Sequence, residues 1–168
     1  MEELVSLKQS LTSDRPVKWE SLPDFALYMD QVISYMSRQY MEGETDAILT
    51  SAMVNNYIKE GLLPRAQGKR YFREHLAHLT AICQLKQVLS VSDVKLLLRG
   101  ELDDGADVEH FYNDYCALLD ASLMRTAQSV EENADIAVLS HMALELAIAS
   151  YTNKLACEKL LSIIRNKG

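Results

Sequence analysis

Glycine, proline and cysteine are all scarce in this chain, and each scarcity excludes something. Six glycines and three prolines among 168 residues are too few for the many turns of a strand-rich fold, so a mostly α protein is expected. The three cysteines, Cys83, Cys116 and Cys157, are an odd number without CxxC spacing. That argues against a disulfide framework and a zinc cluster; buried thiols in a reducing compartment are the simpler reading. The most apolar window, Ala134 to Tyr151, is interrupted by His141 and Glu145, so it falls short of the ~20 apolar residues that cross a bilayer. The opening MEELVSLKQSL lacks the charged-then-apolar layout of a secretory leader, and a cytoplasmic location is expected. No Walker, Rossmann, HExxH or recognisable nucleophile motif occurs, so catalysis is not expected. His75 and His78 lie three apart, but no acid or cysteine completes a ligand set with them, and neither metal nor cofactor is expected.

What is present is an ordinary globular composition, 48% hydrophobic and 24% charged, with a formal net charge of -7. The charge is unevenly placed. Thr50 to Arg99 carries eight cations against three carboxylates, a balance of +5 that leaves -12 for the rest of the chain. Such asymmetry points to an anionic partner for the middle segment, whereas the total alone argues against nucleic acid. On charge alone, a solvated face whose cations pair with acidic neighbours remains the alternative.

Before Ser21 no clear element is read, although Leu4, Leu7 and Leu11 fit one or two amphipathic turns. Ser21-Leu-Pro-Asp24 has the letters of a capping box. Phe25, Tyr28, Met29, Val32, Ile33, Met36 and Tyr40 follow at helical spacing, predicting a first helix of about 16 residues that Met41 to Asp46 ends. Thr50 is a good N-cap and Gly61 a good left-handed C′ residue for a short second helix. Its outward stripe holds Ser51, Asn55, Asn56 and Lys59. Two adjacent asparagines suit a plain helix surface poorly, because their side chains compete with the backbone for hydrogen bonds. Bracing of neighbouring loops is the structural alternative for them.

Leu62 to Pro64 and Lys69 to Tyr71 bracket Arg65-Ala-Gln-Gly68, which fits a small β-hairpin with a basic tip. A helical rhythm runs from Glu74 to Leu89, and Ser90-Val-Ser-Asp93 caps another helix that Gly100 is expected to stop. The acidic stretch 101–107 is the best boundary in the chain. It separates an N-terminal segment (1–20) and a domain (21–100) from a region of about two helices (108–168), read as dimerising or effector-binding. Tyr112, Tyr115, Met124 and Met142 fit either an apolar ligand pocket or plain core.

That order, read from Val54 to Leu98, resembles the winged helix-turn-helix of the MerR family. The join Tyr57-Ile-Lys-Glu-Gly61-Leu-Leu-Pro64, the basic Lys69-Arg-Tyr71 and the leucines that follow carry the likeness. Departures are Asn55 in place of the usual recognition-helix arginine, Asn56 in place of an aromatic, and Phe72 in place of a capping serine. Leu27-Tyr-Met-Asp-Gln-Val32, Val54 to Lys59 and Lys69 to Gln87 are similar to an uncharacterised bacterial family, Domain of Unknown Function 1836. The MerR resemblance implies a mostly α, winged helix-turn-helix domain with a β-hairpin wing and a carboxy-terminal helical extension. It further implies a transcription regulator binding double-stranded DNA, with Thr50 to Lys59 in the major groove and Arg65 to Arg73 as the wing. Asn55 and Asn56 would read adenine, with Ser51 beside them. Lys59 would reach a guanine or a phosphate, and Arg65, Lys69, Arg70 and Arg73 would neutralise the backbone. Tyr71 divides between core plug and phosphate donor. The family's dimerisation helices imply a homodimer on a palindromic site, with a folded-back monomer as the alternative. A protein-interaction module that has lost DNA binding is the competing function.

Overall fold

The computed structural model describes residues 2–39, 49–102 and 107–167. The expected helix end at Met41 to Asp46 and the central part of the acidic segment, 103–106, lie outside them. Among the described residues there are seven α-helices: α1 (Glu2–Ser13), α2 (Met29–Met36), α3 (Ser51–Lys59), α4 (Arg73–Leu85), α5 (Val91–Leu102), α6 (Val108–Gln128) and α7 (Ile136–Lys167). A single 3-10 turn, Trp19–Ser21, precedes α2. Contacts divide the chain into two compact units, Pro16–Ala117 and a second formed by Met1–Arg15 with Leu118–Gly168.

The first unit is built around α4. Every residue from His75 to Cys83 is buried, so α4 is a core helix without a solvent face and its neighbours wrap it. α2 packs on both α4 and α3, contributing Val32 and Met36, while α3 contributes Val54 and Tyr57. Val94 and Leu98 of α5 and Tyr112 of α6 complete the core. The Tyr112 hydroxyl satisfies itself by donating to the Val17 carbonyl (2.7 Å). Burial in this apolar setting pushes its pKa up.

The all-α class holds, but the β-hairpin wing does not form: no strand or sheet is present among the described residues, only two isolated bridges, Leu27 with Tyr71 and Gln67 with Arg70. The reversal itself is there. Gln67 and Arg70 exchange both backbone hydrogen bonds (3.0 Å each), and Gly68 and Lys69 both have positive φ, 58° and 65°, as a two-residue primed turn requires. What is missing is a ladder beyond the turn. On one arm, Pro64 has no N–H to give, and the Leu62 and Leu63 amides are spent on the Tyr57 carbonyl (2.8 and 3.1 Å). On the other, both backbone groups of Tyr71 are taken by Leu27 (2.8 Å each). The chain leaving the turn therefore pairs with the segment before α2, not with the arm that entered it.

The first helix is also shorter than its periodicity suggests. Residues 22–28 are largely extended, and α2 begins after Tyr28 with Gln31 Oε1 accepting the Tyr28 N–H (2.9 Å). The Leu27–Tyr71 bridge holds that backbone extended, so Ser21 to Asp24 never acts as a helix cap. α1 is a full helix where only a turn or two was read. α5 runs through Gly100 to Leu102, and Asp135 caps α7 by accepting the Val138 N–H (2.9 Å).

In the second unit α1 is tied down by Lys8–Glu132 (3.0 Å) and by Arg15 to Asp120. Ala127, Val130 and Leu161 are buried there. No described helix is long and apolar enough to cross a membrane.

Candidate nucleic-acid interface

The short helix α3 owes its limits to local chemistry. Thr50 Oγ1 accepts the Met53 N–H (3.2 Å) at the start. At the end Gly61 takes φ +68°. Its N–H bonds the Ile58 carbonyl (3.1 Å), and that of Leu62 bonds Tyr57 (2.8 Å). These are the paired bonds of a Schellman motif. The inner face is anchored by Val54 and Tyr57, with the Lys86 ammonium over the Tyr57 ring (5.0 Å) and bonded to its hydroxyl (3.1 Å). The outer face is left to Ser51, Ala52, Asn55, Asn56 and Lys59, all exposed.

Neither asparagine side chain forms a hydrogen bond among the described residues, so loop bracing is not seen there. Two amides, each carrying a donor and an acceptor, stand side by side on a helix about 13 Å long.

The sequence-derived basic residues separate into two groups. Lys69 and Arg70 are exposed on the primed turn, and Lys69 lines a hollow together with Thr50 and Ser51. The turn therefore sits beside the N-terminal end of α3. Arg65 is exposed too, but it lines a different pocket, with Lys59 at the other end of the helix. Cations thus bracket α3 at both ends.

Two residues go elsewhere. Arg73 lies over the Trp19 ring (5.5 Å) and donates to the Leu22 carbonyl (3.1 Å), so its charge secures the segment before α2. Tyr71 is buried, packed edge-on against His75 (5.4 Å), and burial pushes its phenol pKa up. His75 is satisfied on both sides: Nδ1 accepts the Phe72 N–H (3.0 Å), which leaves Nε2–H to donate to the Arg65 carbonyl (3.3 Å). His78 Nδ1–H donates to the Glu74 carbonyl (2.7 Å), and burial pulls its pKa down. Both imidazoles position the turn and α4, and no group of three metal-ligating side chains occurs among the described residues. Tyr112 and Tyr115 are held within the first unit, the latter by a bond to Gln84 Oε1 (2.5 Å), while Met124 and Met142 belong to the second.

Lys95 and Arg99 count among the eight cations of the basic segment but lie outside the expected interface. They lie four apart on α5 and share the pocket with Lys59 and Arg65; their spacing was the available signal.

The sequence model of a family described as Domain of unknown function (DUF1836) matches residues 17–115, more than half of the chain. The chain belongs to this family. The DUF1836 match contains all three segments that carried the resemblance, and nearly coincides with the first compact unit. It includes the opening turns of α6, beyond the acidic stretch. No curated protein and no solved structure matches the chain.

Proposed function

We propose that this DUF1836 protein binds double-stranded DNA, with the outer face of α3 in the major groove and the basic turn on the phosphates. The observation that carries the reading is the pair of unbonded, exposed amides of Asn55 and Asn56 on a helix bracketed by Lys69 and Arg70 at one end and Lys59 and Arg65 at the other. Adenine presents a donor and an acceptor in the major groove, and an asparagine that pairs with both discriminates by about 1–3 kcal/mol. The four cations supply affinity without reading sequence. A MerR-like helix-turn-helix order is consistent with this use of α3, here with a single tight turn in the wing's place.

Palindromic sites follow if two chains associate through α7. Leu144, Ile148, Tyr151 and Leu155 are exposed at steps of four, three and four, the spacing of a coiled-coil seam. Glu145 lies in the first half of α7, while Lys154, Lys159, Arg165 and Lys167, against Glu158, lie in the second. An antiparallel pairing of two copies places these opposite charges together. A transcriptional role follows from sequence-specific binding.

Selection of the full-length protein against a random duplex pool tests the reading, with Asn55→Ala/Asn56→Ala run in parallel. Enrichment of a palindrome by the native protein, lost by the variant while total binding persists, is the expected result. No enrichment by the native protein would sink the reading and favour a protein-interaction module.

A further inference from the structure

Behind the C-terminal end of α3 lies a pocket of about 440 Å³. Lys59 reaches it from α3, Arg65 from the segment entering the basic turn, and Lys95 and Arg99 from α5; among the described residues no carboxylate lines it. Among the described residues, none of Lys59, Arg65 and Arg99 forms an ion pair. Lys95 donates to the Glu60 carbonyl, and its Nζ lies 3.6 Å from the point a Gly61 Cβ would occupy. That is an ordinary van der Waals separation, so the ammonium crosses the end of the helix in contact with Gly61.

The walls are apolar, from Ile58, Leu62, Leu63 and Leu98. His78 adds one polar group. Because its Nδ1–H is committed to the Glu74 carbonyl (2.7 Å), its Nε2 is a lone-pair acceptor in that tautomer. Four like charges around a concavity repel one another, and an anion among them removes that repulsion. Apolar walls in turn favour a ligand that has more than charge to offer.

We infer that this pocket binds a small phosphorylated metabolite, a polyanion carrying an apolar or ring portion, between Lys59, Arg65, Lys95 and Arg99. A DNA duplex is a poorer occupant. Its phosphates lie on a convex surface and meet protruding cations, and they would leave the apolar walls unused. Ile58 and Lys59 line the pocket, so an occupant touches the C-terminal end of α3, where it can act as an effector of whatever the outer face binds. Occupancy itself is independent of the DNA reading.

Isothermal titration of the full chain with adenosine diphosphate, and separately with pyrophosphate, tests this without any DNA present. Saturable single-site binding is expected, tighter for the nucleotide than for pyrophosphate. Loss of one charge-assisted contact in Arg99→Gln should weaken both by about tenfold, with Arg99→Lys retaining most of the affinity. Lys69→Ala/Arg70→Ala, outside the pocket, should bind as the native chain does. Thermal melting of Arg99→Gln at the native temperature shows that the loss is not unfolding. Three outcomes would overturn the proposal: no saturation by either probe in the millimolar range, an Arg99→Gln variant that binds like the native chain, or equal weakening by Lys69→Ala/Arg70→Ala. Displacement of the nucleotide by duplex DNA, with Arg99→Gln losing DNA affinity alone, would assign these cations to the duplex instead.

Discussion

Replacing Lys69 and Arg70 together by alanine should halve the salt dependence of duplex binding while leaving the fold intact. The structure sorts the cations for this estimate. Arg73 is engaged with Trp19 and Leu22, Lys86 with Tyr57, and Lys95 with the end of α3. Arg99 is exposed on α5 and faces the pocket, while Lys59, Arg65, Lys69 and Arg70 are exposed around α3 and, with the pocket empty, free to meet phosphates. Each phosphate contact contributes about -0.9 to the slope of log affinity against log salt, so four give about -3.6 per chain and about -7 for two chains. The double variant should return about half of that. Between about 50 and 200 mM salt, two native chains bound together then lose roughly ten-thousand-fold in affinity, and two variant chains roughly a hundred-fold. Fluorescence anisotropy of a labelled mixed-sequence duplex across a salt series measures both slopes. Gly68 and Lys69 already occupy the left-handed region, and no described side-chain bond is lost with either cation, so melting temperature should hold. Arg73→Ala provides the contrast, with an unchanged slope and reduced thermal stability. A native slope near zero, or a variant slope equal to the native one, would refute the assignment of the turn to phosphates.

Three further outcomes are expected. Gly61→Ala forces a Cβ into φ +68°, a cost of about 1–2 kcal/mol that urea unfolding would register. The His78 pKa is held below its ordinary 6.5 by burial, with the bond to the Glu74 carbonyl opposing the shift. The unfolded chain therefore takes up a proton at this residue before the folded one does, and stability is lost as pH falls below 6.5. His78→Asn, which keeps a donor near the Nδ1 position, should flatten that part of the melting-temperature profile. Leu144→Glu/Leu155→Glu should shift sedimentation from dimer to monomer without unfolding the first unit, and a native chain that sediments as a monomer would remove the palindrome argument.

Features specified by a few adjacent residues were legible in the sequence. Thr50 and Ser90 cap helices because a hydroxyl two or three residues from an amide suffices. Gly61 ends α3 because only a residue free of Cβ crowding takes its φ cheaply, and the primed turn at Gly68 is equally local. The failures around the turn and the pocket involve partners distant in sequence. Tyr71 gives its backbone to Leu27, and that one bridge both prevents the wing and delays the start of α2. Trp19 and the Leu22 carbonyl capture Arg73, which the MerR resemblance assigns to phosphate. The grouping of Lys95 and Arg99 with Lys59 and Arg65 is not legible in the sequence, because the pocket that unites them exists only once α5 folds against the end of α3.

The central claim concerns where DNA touches the protein, and amide-resolved NMR of the full chain titrated with a mixed-sequence duplex tests it most directly. Shifts concentrated in Thr50 to Lys59 and Gln67 to Arg70, with the core amides of α4 and those of α7 unaffected, are the expected result. A spectrum left unchanged by excess duplex, or shifts confined to residues outside α3 and the turn, would contradict the account.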